Sequence, residues 1–356
     1  MRIAMVSEHA NLYVAELSAA LAREGNTVTN HTVPEDVGDF ARLLRDEWVA
    51  DPPDVVHAHH WRSGLAATAA GRATEMPGVP VVQSFHGLGV VEKRHHRESD
   101  PRRISAERAL GREVARVVAT SSEEMGELVR LGVPKPRISL VPCGVDLQEF
   151  TPTGDRTIKD GAPLRLVGVG DLTPSTGFGT VIAVLRALPD TELVIAGGPD
   201  KAELGDDKHA QFLRAFAESL GVGDRVHLVG GLARRDLPPL LRSANAVVCT
   251  PWYEPLGFAA LEAMACGAPV VASAVGALAD TVVDGVTGVL VPPRRPRALA
   301  EALRRLLARP TTLEQMGAAG CDRAMSRYSW QRVAAEITRV YEQASVTSGQ
   351  AVGTRR

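Results

Sequence analysis

Glu254 and Glu262 stand eight positions apart in the stretch EPLGFAALEAMACGAPVV. On a helix that separation is about two turns, roughly 12 Å. Glu254 lies at the mouth of a strand-to-helix turn. The strand is expected at Ala246 to Thr250, the turn at Pro251 to Phe258, and the helix carries Leu261, Met264 and Ala265. The backbone N–H groups of Leu256, Gly257 and Phe258 fall at the helix start, where amides lack intrahelical partners and anions are favoured. A ligand laid along this helix would meet one carboxylate at its reactive end and the other further back. Carboxylates accept sugar hydroxyls and free amides hold a diphosphate, so the pattern suits a nucleotide-sugar site.

Histidines form a second set. His86 ends the run VVQSFH, and His57, His59 and His60 lie in DVVHAHHW. No carboxylate or cysteine stands near them in the sequence, so a structural or acceptor-lining role is expected and no metal. Glu123 and Glu124 follow VVATSS, and Lys93, Arg94, His95 and His96 make a basic run in an expected loop.

The elements that must position these residues are short β-branched runs alternating with helical stretches. Such runs start at Ile3, Val55, Val81, Val117 and Ile138, and then at Leu166, Leu193, Val226, Ala246, Val270 and Val289. Continuous apolar runs suit parallel strands covered on both faces. Helical segments such as Val14 to Ala22 and Gln211 to Leu220 complete the β-α-β units. The pattern runs twice, giving an α/β chain with two Rossmann-like, doubly wound parallel-sheet domains. Ligands of such sheets bind beyond the carboxyl ends of the strands. In the second half those ends carry Gly170-Asp171-Leu172, Gly197-Gly198-Pro199, Gly230-Gly231-Leu232, Glu254 to Phe258 and Ser273 to Gly276.

The expected domains are residues 1–150 and 151–328. A last helix follows RYSW, and the polar tail 346–356 is expected to be disordered. The linker composition lies in TPTGDRTIKDGAP. Composition narrows the function classes. Lys+Arg is 40 against Asp+Glu 42, so no basic field points to nucleic acid. Four widely spaced cysteines suggest reduced thiols in a cytoplasmic protein. MRIAMVSEH reads as a first strand rather than a signal peptide, and the apolar stretch from Ala259 to Ala279 is interrupted by Glu262, so no integral membrane segment is expected. No G-x-G-x-x-G follows a first strand, which argues against a dinucleotide-dependent dehydrogenase. The oligomeric state is not fixed by these features.

The segments EPLG, LEAMACG, PVVAS, VDGVTGVLVPP and RYSW stand in the order found in retaining glycosyltransferases of family 4, and the Glu254–Glu262 spacing resembles that family's E-x7-E motif. The resemblance covers nearly the whole chain. It implies the GT-B fold, with the last helix at about 329–345 packing back on the first domain, and no resident cofactor, with a nucleotide-diphosphate sugar as co-substrate and a small molecule as acceptor. Glu254 would bind hydroxyls of the transferred sugar and Glu262 the ribose. Gly231 and Leu232 would lie against the nucleobase, and the amides of Leu256, Gly257 and Phe258 would meet sugar or diphosphate. His86 resembles the strand-end histidine of the reaction centre. His59 resembles the second histidine of the family's HAH segment, and Glu124 a position on the acceptor side, where Lys93 is also expected. The chain looks closest to actinobacterial members that glycosylate cyclitols, including inositol phosphate and the aminocyclitols of aminoglycoside antibiotics.

Two departures fall on the phosphate and acceptor side. Where the family reads G-R-L and then K-G, this chain reads Gly170-Asp171-Leu172 and Thr176-Gly177. A carboxylate about 4 Å from a phosphate oxygen would be repelled by roughly 4 kcal/mol at an effective dielectric near 20. The family's glycine-rich loop after the first strand is also missing, since no glycine lies between Met1 and Leu21. A second reading is therefore a catalytically impaired or non-catalytic homologue. A third is an enzyme whose donor diphosphate is met by Arg234, Arg235 or Lys201.

Overall fold

The computed structural model describes residues 1–9, 11–32, 36–73, 78–95, 100–157 and 164–347. The chain divides into two compact units: Met1–Gly144 with Trp330–Arg356, and Val145–Ser329. Val145 to Phe150 thus sits in the second unit, where Val145 N donates to Tyr328 O at 2.7 Å. The last helix runs Trp330–Thr347. Residues 348–356 of the expected tail and 158–163 of the expected linker lie outside the described residues.

The first unit holds strands β1 (Arg2–Ser7), β2 (Thr27–Thr32), β3 (Val55–His59), β4 (Val81–Ser84), β5 (Arg116–Ala119) and β6 (Ile138–Leu140). They form one sheet in the order β2-β1-β3-β4-β5-β6, with every pair parallel. Strand β2 has no counterpart among the expected runs. Its sequence TVTNHT is polar because it is an edge strand, paired only to β1 and largely exposed.

The second unit holds β7 (Leu164–Val169), β8 (Thr191–Ala196), β9 (Val226–Gly230), β10 (Ala246–Cys249), β11 (Val270–Ser273) and β12 (Gly288–Val291). They form a parallel sheet in the order β12-β11-β10-β7-β8-β9. Its strand order reverses between β7 and β10, and that reversal is where an open α/β sheet leaves a crevice for a ligand. Two cores cover the sheets. Val6, Val56 and Ala58 meet Phe40, Leu44 and Trp48 in the first unit. In the second, Leu166, Leu193, Ile195 and Val248 meet Phe178, Ile182 and Leu303. Polar side chains start the helices that follow: Asn11 Oδ1 accepts from Val14 N at 2.9 Å, and Ser121 Oγ from Glu124 N at 3.1 Å. Among the described residues no helix is long and apolar enough to cross a membrane.

Candidate functional site

In the second unit, the loops after β7 and β10 meet at the reversal of strand order. Gly170 has φ +150° and Gly177 φ +85°. A Cβ on Gly177 would lie 1.9 Å from Thr250 O, so only glycine lets these loops touch. Thr250 Oγ1 donates to Gly177 O at 3.3 Å, and Trp252 N donates to Ser175 O at 2.9 Å. Asp171 is exposed on this loop, and Thr176 sits beside Gly170, its Cγ2 within 3.1 Å of where a Cβ would stand. Gly170, Asp171 and Thr176 are thereby joined to the loop that carries Glu254. Gly197 approaches Gly170 O as closely, and Gly231 N donates to Pro199 O at 2.8 Å. This aligns Gly231 and the half-buried Leu232 along the same sheet edge.

Glu254 is half-buried. Its Oε1 accepts from Leu256 N at 3.1 Å and from Gly257 N at 3.0 Å. Two amides expected to be free for a ligand are therefore capped by the chain's own carboxylate. The physical reason is local. Gly257, with φ +76°, occupies the N-cap of the helix Phe258–Ala265 and offers no capping side chain. Phe258 is the first residue of that helix. Glu254 O accepts from Ala277 N at 2.8 Å, which anchors the turn to the loop after β11.

Glu262 lies further along the same helix and is 3% exposed. Its Oε1 is 2.7 Å from Arg234 Nη1. Arg234 Nε is 3.0 Å from Glu149 Oε2, and its guanidinium lies 4.7 Å from the Phe150 ring centroid. Sequence reasoning placed Arg234 among candidate diphosphate cations. In the structure it is the counterion of Glu262. No spacing rule could pair residues 28 positions apart across a helix, a strand and the turn into the next helix.

The first unit gathers the histidines beyond β3 and β4. His59 Nδ1 is 2.9 Å from His86 Nε2, and their rings are parallel to within 2°. His57 Nδ1 is 2.8 Å from Tyr341 OH and His57 Nε2 is 2.9 Å from Ser84 Oγ. The histidines thus bond to one another and to hydroxyls, and do not converge as metal ligands. Among the described residues no His, Cys, Asp or Glu group could hold a metal ion. Burial pushes His57 down to about 3 and His60 to about 4, and His59 and His86 well below the usual imidazole range. All four are neutral at pH 7. His86 has φ +55° and His60 φ +67°, positions that side chains adopt at a cost in strain and that recur at functional sites. Nδ1 of His86 and Nε2 of His59 are buried without a protein partner.

The turn after β4 is held from below. Glu124 is fully buried and accepts from Gly87 N at 3.2 Å and from Thr120 N and Oγ1 at 2.8 Å. Both its oxygens are taken, so it buttresses the backbone beside His86 where the sequence suggested a residue facing an acceptor. Glu107, which sequence reasoning missed, accepts from Gly89 N at 2.9 Å and from Arg103 Nε at 2.6 Å. Arg103 Nη2 donates to Gly87 O at 2.7 Å. Lys93 is exposed on the short helix Gly89–Arg94 and is not part of this brace. His96 lies outside the described residues.

Comparison with known proteins agrees with this geometry. Family models match twice: "Glycosyltransferase Family 4" over residues 30–149 and "Glycosyl transferases group 1" over residues 155–323. A D-inositol 3-phosphate glycosyltransferase of Salinispora arenicola is 34% identical, covering 90% of this chain and 76% of that protein. Another of the same name, from Xylanimonas cellulosilytica, is 33% identical and covers 97% of both chains. Among solved structures, sucrose-phosphate synthase from Thermosynechococcus elongatus superposes with a TM-score of 0.86 at 26% identity, over 97% of this chain and 99% of that one. Anabaena HepE in complex with UDP-glucose superposes with a TM-score of 0.76 at 19% identity, over 97% and 100%, a likeness of fold.

Proposed function

We propose that this chain, which belongs to glycosyltransferase family 4, moves a sugar from a nucleotide-diphosphate donor to a hydroxyl of a small cyclitol-type acceptor. The observation that carries this is the placement of Glu254 and Glu262 on one turn and helix at the strand-order reversal, beside the glycine-built loop ends of β7, β8 and β9. Glu254 would take sugar hydroxyls with the carboxylate face turned away from its own helix, and Glu262 the ribose. Gly231 and Leu232 would border the base.

His86 and His59 would line the reaction centre as a neutral, hydrogen-bonding pair, with Glu124 and Glu107 fixing the turn. Stabilising the departing diphosphate and the cation-like sugar would be the main task of the site. Membership of the family supports front-side attack with retention of configuration. The relatives' printed name supports a cyclitol acceptor. A place in aminoglycoside antibiotic assembly, in the cytoplasm, is a narrower form of the same reading.

The second reading is a homologue without turnover. It is favoured by Asp171 and Thr176 on the phosphate side, and by Glu254 occupying amides that would otherwise meet an anion. Calorimetric titration with UDP, GDP, ADP and their glucose derivatives separates the two. Donor binding with turnover that Glu254→Ala abolishes supports the enzyme. A folded protein that binds none of these nucleotides supports the second reading.

A further inference from the structure

The contact between Arg234 and Glu262 is the least expected feature of the second unit. A carboxylate buried as deeply as Glu262 takes up a proton or turns toward water unless a cation and hydrogen bonds hold it. The Arg234 guanidinium meets it at 2.7 Å, and its planar fork sets the direction in which the carboxylate faces. The fork is itself fixed from two sides, by the Glu149 carboxylate and by the face of the Phe150 ring. Arg234 sits in the turn Arg234–Asp236 that follows β9, so it reaches Glu262 from the loop expected to border a base.

We propose that Arg234 is a positioning residue that keeps Glu262 ionised and aimed at ribose hydroxyls, and that it thereby selects ribonucleotides over nucleotides lacking those hydroxyls. The proposal rests on the nucleotide-sugar reading above. It gives Arg234 a task other than gripping a diphosphate, because its Nη1 and Nε already face carboxylates. Loss of the guanidinium would leave Glu262 buried beside other carboxylates, where the neutral acid is favoured and the acceptor lone pairs are no longer aimed.

The test is calorimetric titration of UDP, GDP and ADP, each beside its 2′,3′-dideoxy counterpart, into the wild type, Arg234→Ala and Arg234→Lys. The wild type is expected to bind its preferred ribonucleotide at least about tenfold more tightly than the dideoxy form, the scale of one or two hydrogen bonds to a charged acceptor. Arg234→Ala should bring that ratio to about one or two while leaving dideoxynucleotide affinity unchanged. Arg234→Lys keeps a point charge without the fork and should recover part of the ratio. A ratio in Arg234→Ala equal to that of the wild type, with both affinities lowered alike, overturns the proposal. It would mean that the guanidinium touches the nucleotide itself, through Nε or Nη2, which are buried without a hydrogen-bond partner. Should Arg234→Ala fail to fold, an unchanged ratio in Arg234→Lys rejects the proposal on the same criterion. Failure of the wild type to bind any of the six overturns the nucleotide reading beneath it.

Discussion

Glu254 turns one oxygen, Oε1, toward two amides of its own helix. A cap of this kind stabilises a helix by about 1 kcal/mol. Function and stability are therefore separable at this residue. Glu254→Gln retains an acceptor oxygen for Leu256 and Gly257 and removes the charge. Glu254→Ala removes both. We expect the glutamine variant to melt within about 0.5 kcal/mol of the wild type while losing donor turnover. The alanine variant should lose turnover and about 1 kcal/mol as well. Thermal melts beside donor-hydrolysis rates check this, and equal destabilisation of the two variants would show that the cap seen here has no weight. Glu124 is the contrasting case. Its carboxylate accepts from Thr120 and from the amide of Gly87, so its influence on His86 runs through the backbone of the turn.

At the scale of elements, the loop from β7 to its helix carries one of the two departures from the family pattern. Its path is well defined: Gly170 and Gly177 have positive φ, and Trp252 N donates to Ser175 O. The positive charges that the family resemblance implies are missing at Asp171 and Thr176. Restoring them is thus a test of the loop's task with its geometry held. Asp171→Arg with Thr176→Lys removes one repulsion and adds two cations, each contact worth about 1–2 kcal/mol near a surface. Affinity for a nucleoside diphosphate should rise at least about tenfold, measured by calorimetry, and affinity for the bare nucleoside should not change. An equal gain for the nucleoside would place the effect elsewhere. This loop, the Glu254 turn and the eleven apolar strands were legible in the sequence because each is a local pattern of apolar runs, glycines and turn residues. Strand β2 was not, because an edge strand with polar faces carries no such pattern. The His59–His86 and Arg234–Glu262 contacts were not, because they join residues that only the sheet order brings together.

At the scale of the whole molecule, the two units differ in how burial treats their titratable groups. The first unit encloses four imidazoles, His57, His59, His60 and His86, each pushed down by loss of solvent, His57 to about 3 and His60 to about 4. It also depends on a helix from the far end of the chain, since Tyr341 supplies the hydroxyl bonded to His57. For a base whose folded pKa is depressed, both states are neutral above 6.5 and stability is fully present there. As pH falls below 6.5 the unfolded chain gains protons that the folded one refuses, so stability drops, down to the folded values. Each imidazole contributes about 1.4 kcal/mol per pH unit in that window. Starting half-protonated in the unfolded chain at 6.5, His57 and His60 would together remove roughly 2 kcal/mol between pH 6.5 and 5.5, and His59 and His86 act in the same direction. Glu107 and Glu124, raised by burial, act in the other sense: their contribution is present in acid and lost as pH rises through their folded values, so it blunts the lower end of the fall. Urea unfolding at pH 7, 6, 5.5 and 5 should therefore show a steep decline for the transition of the first unit. His57→Gln keeps partners for Tyr341 and Ser84, and it should lower the slope by about one proton. Stability that stays level from pH 7 to 5 would mean that the buried histidines accept protons without unfolding the unit, and the neutral His59–His86 pair would have to be redrawn as a charged one.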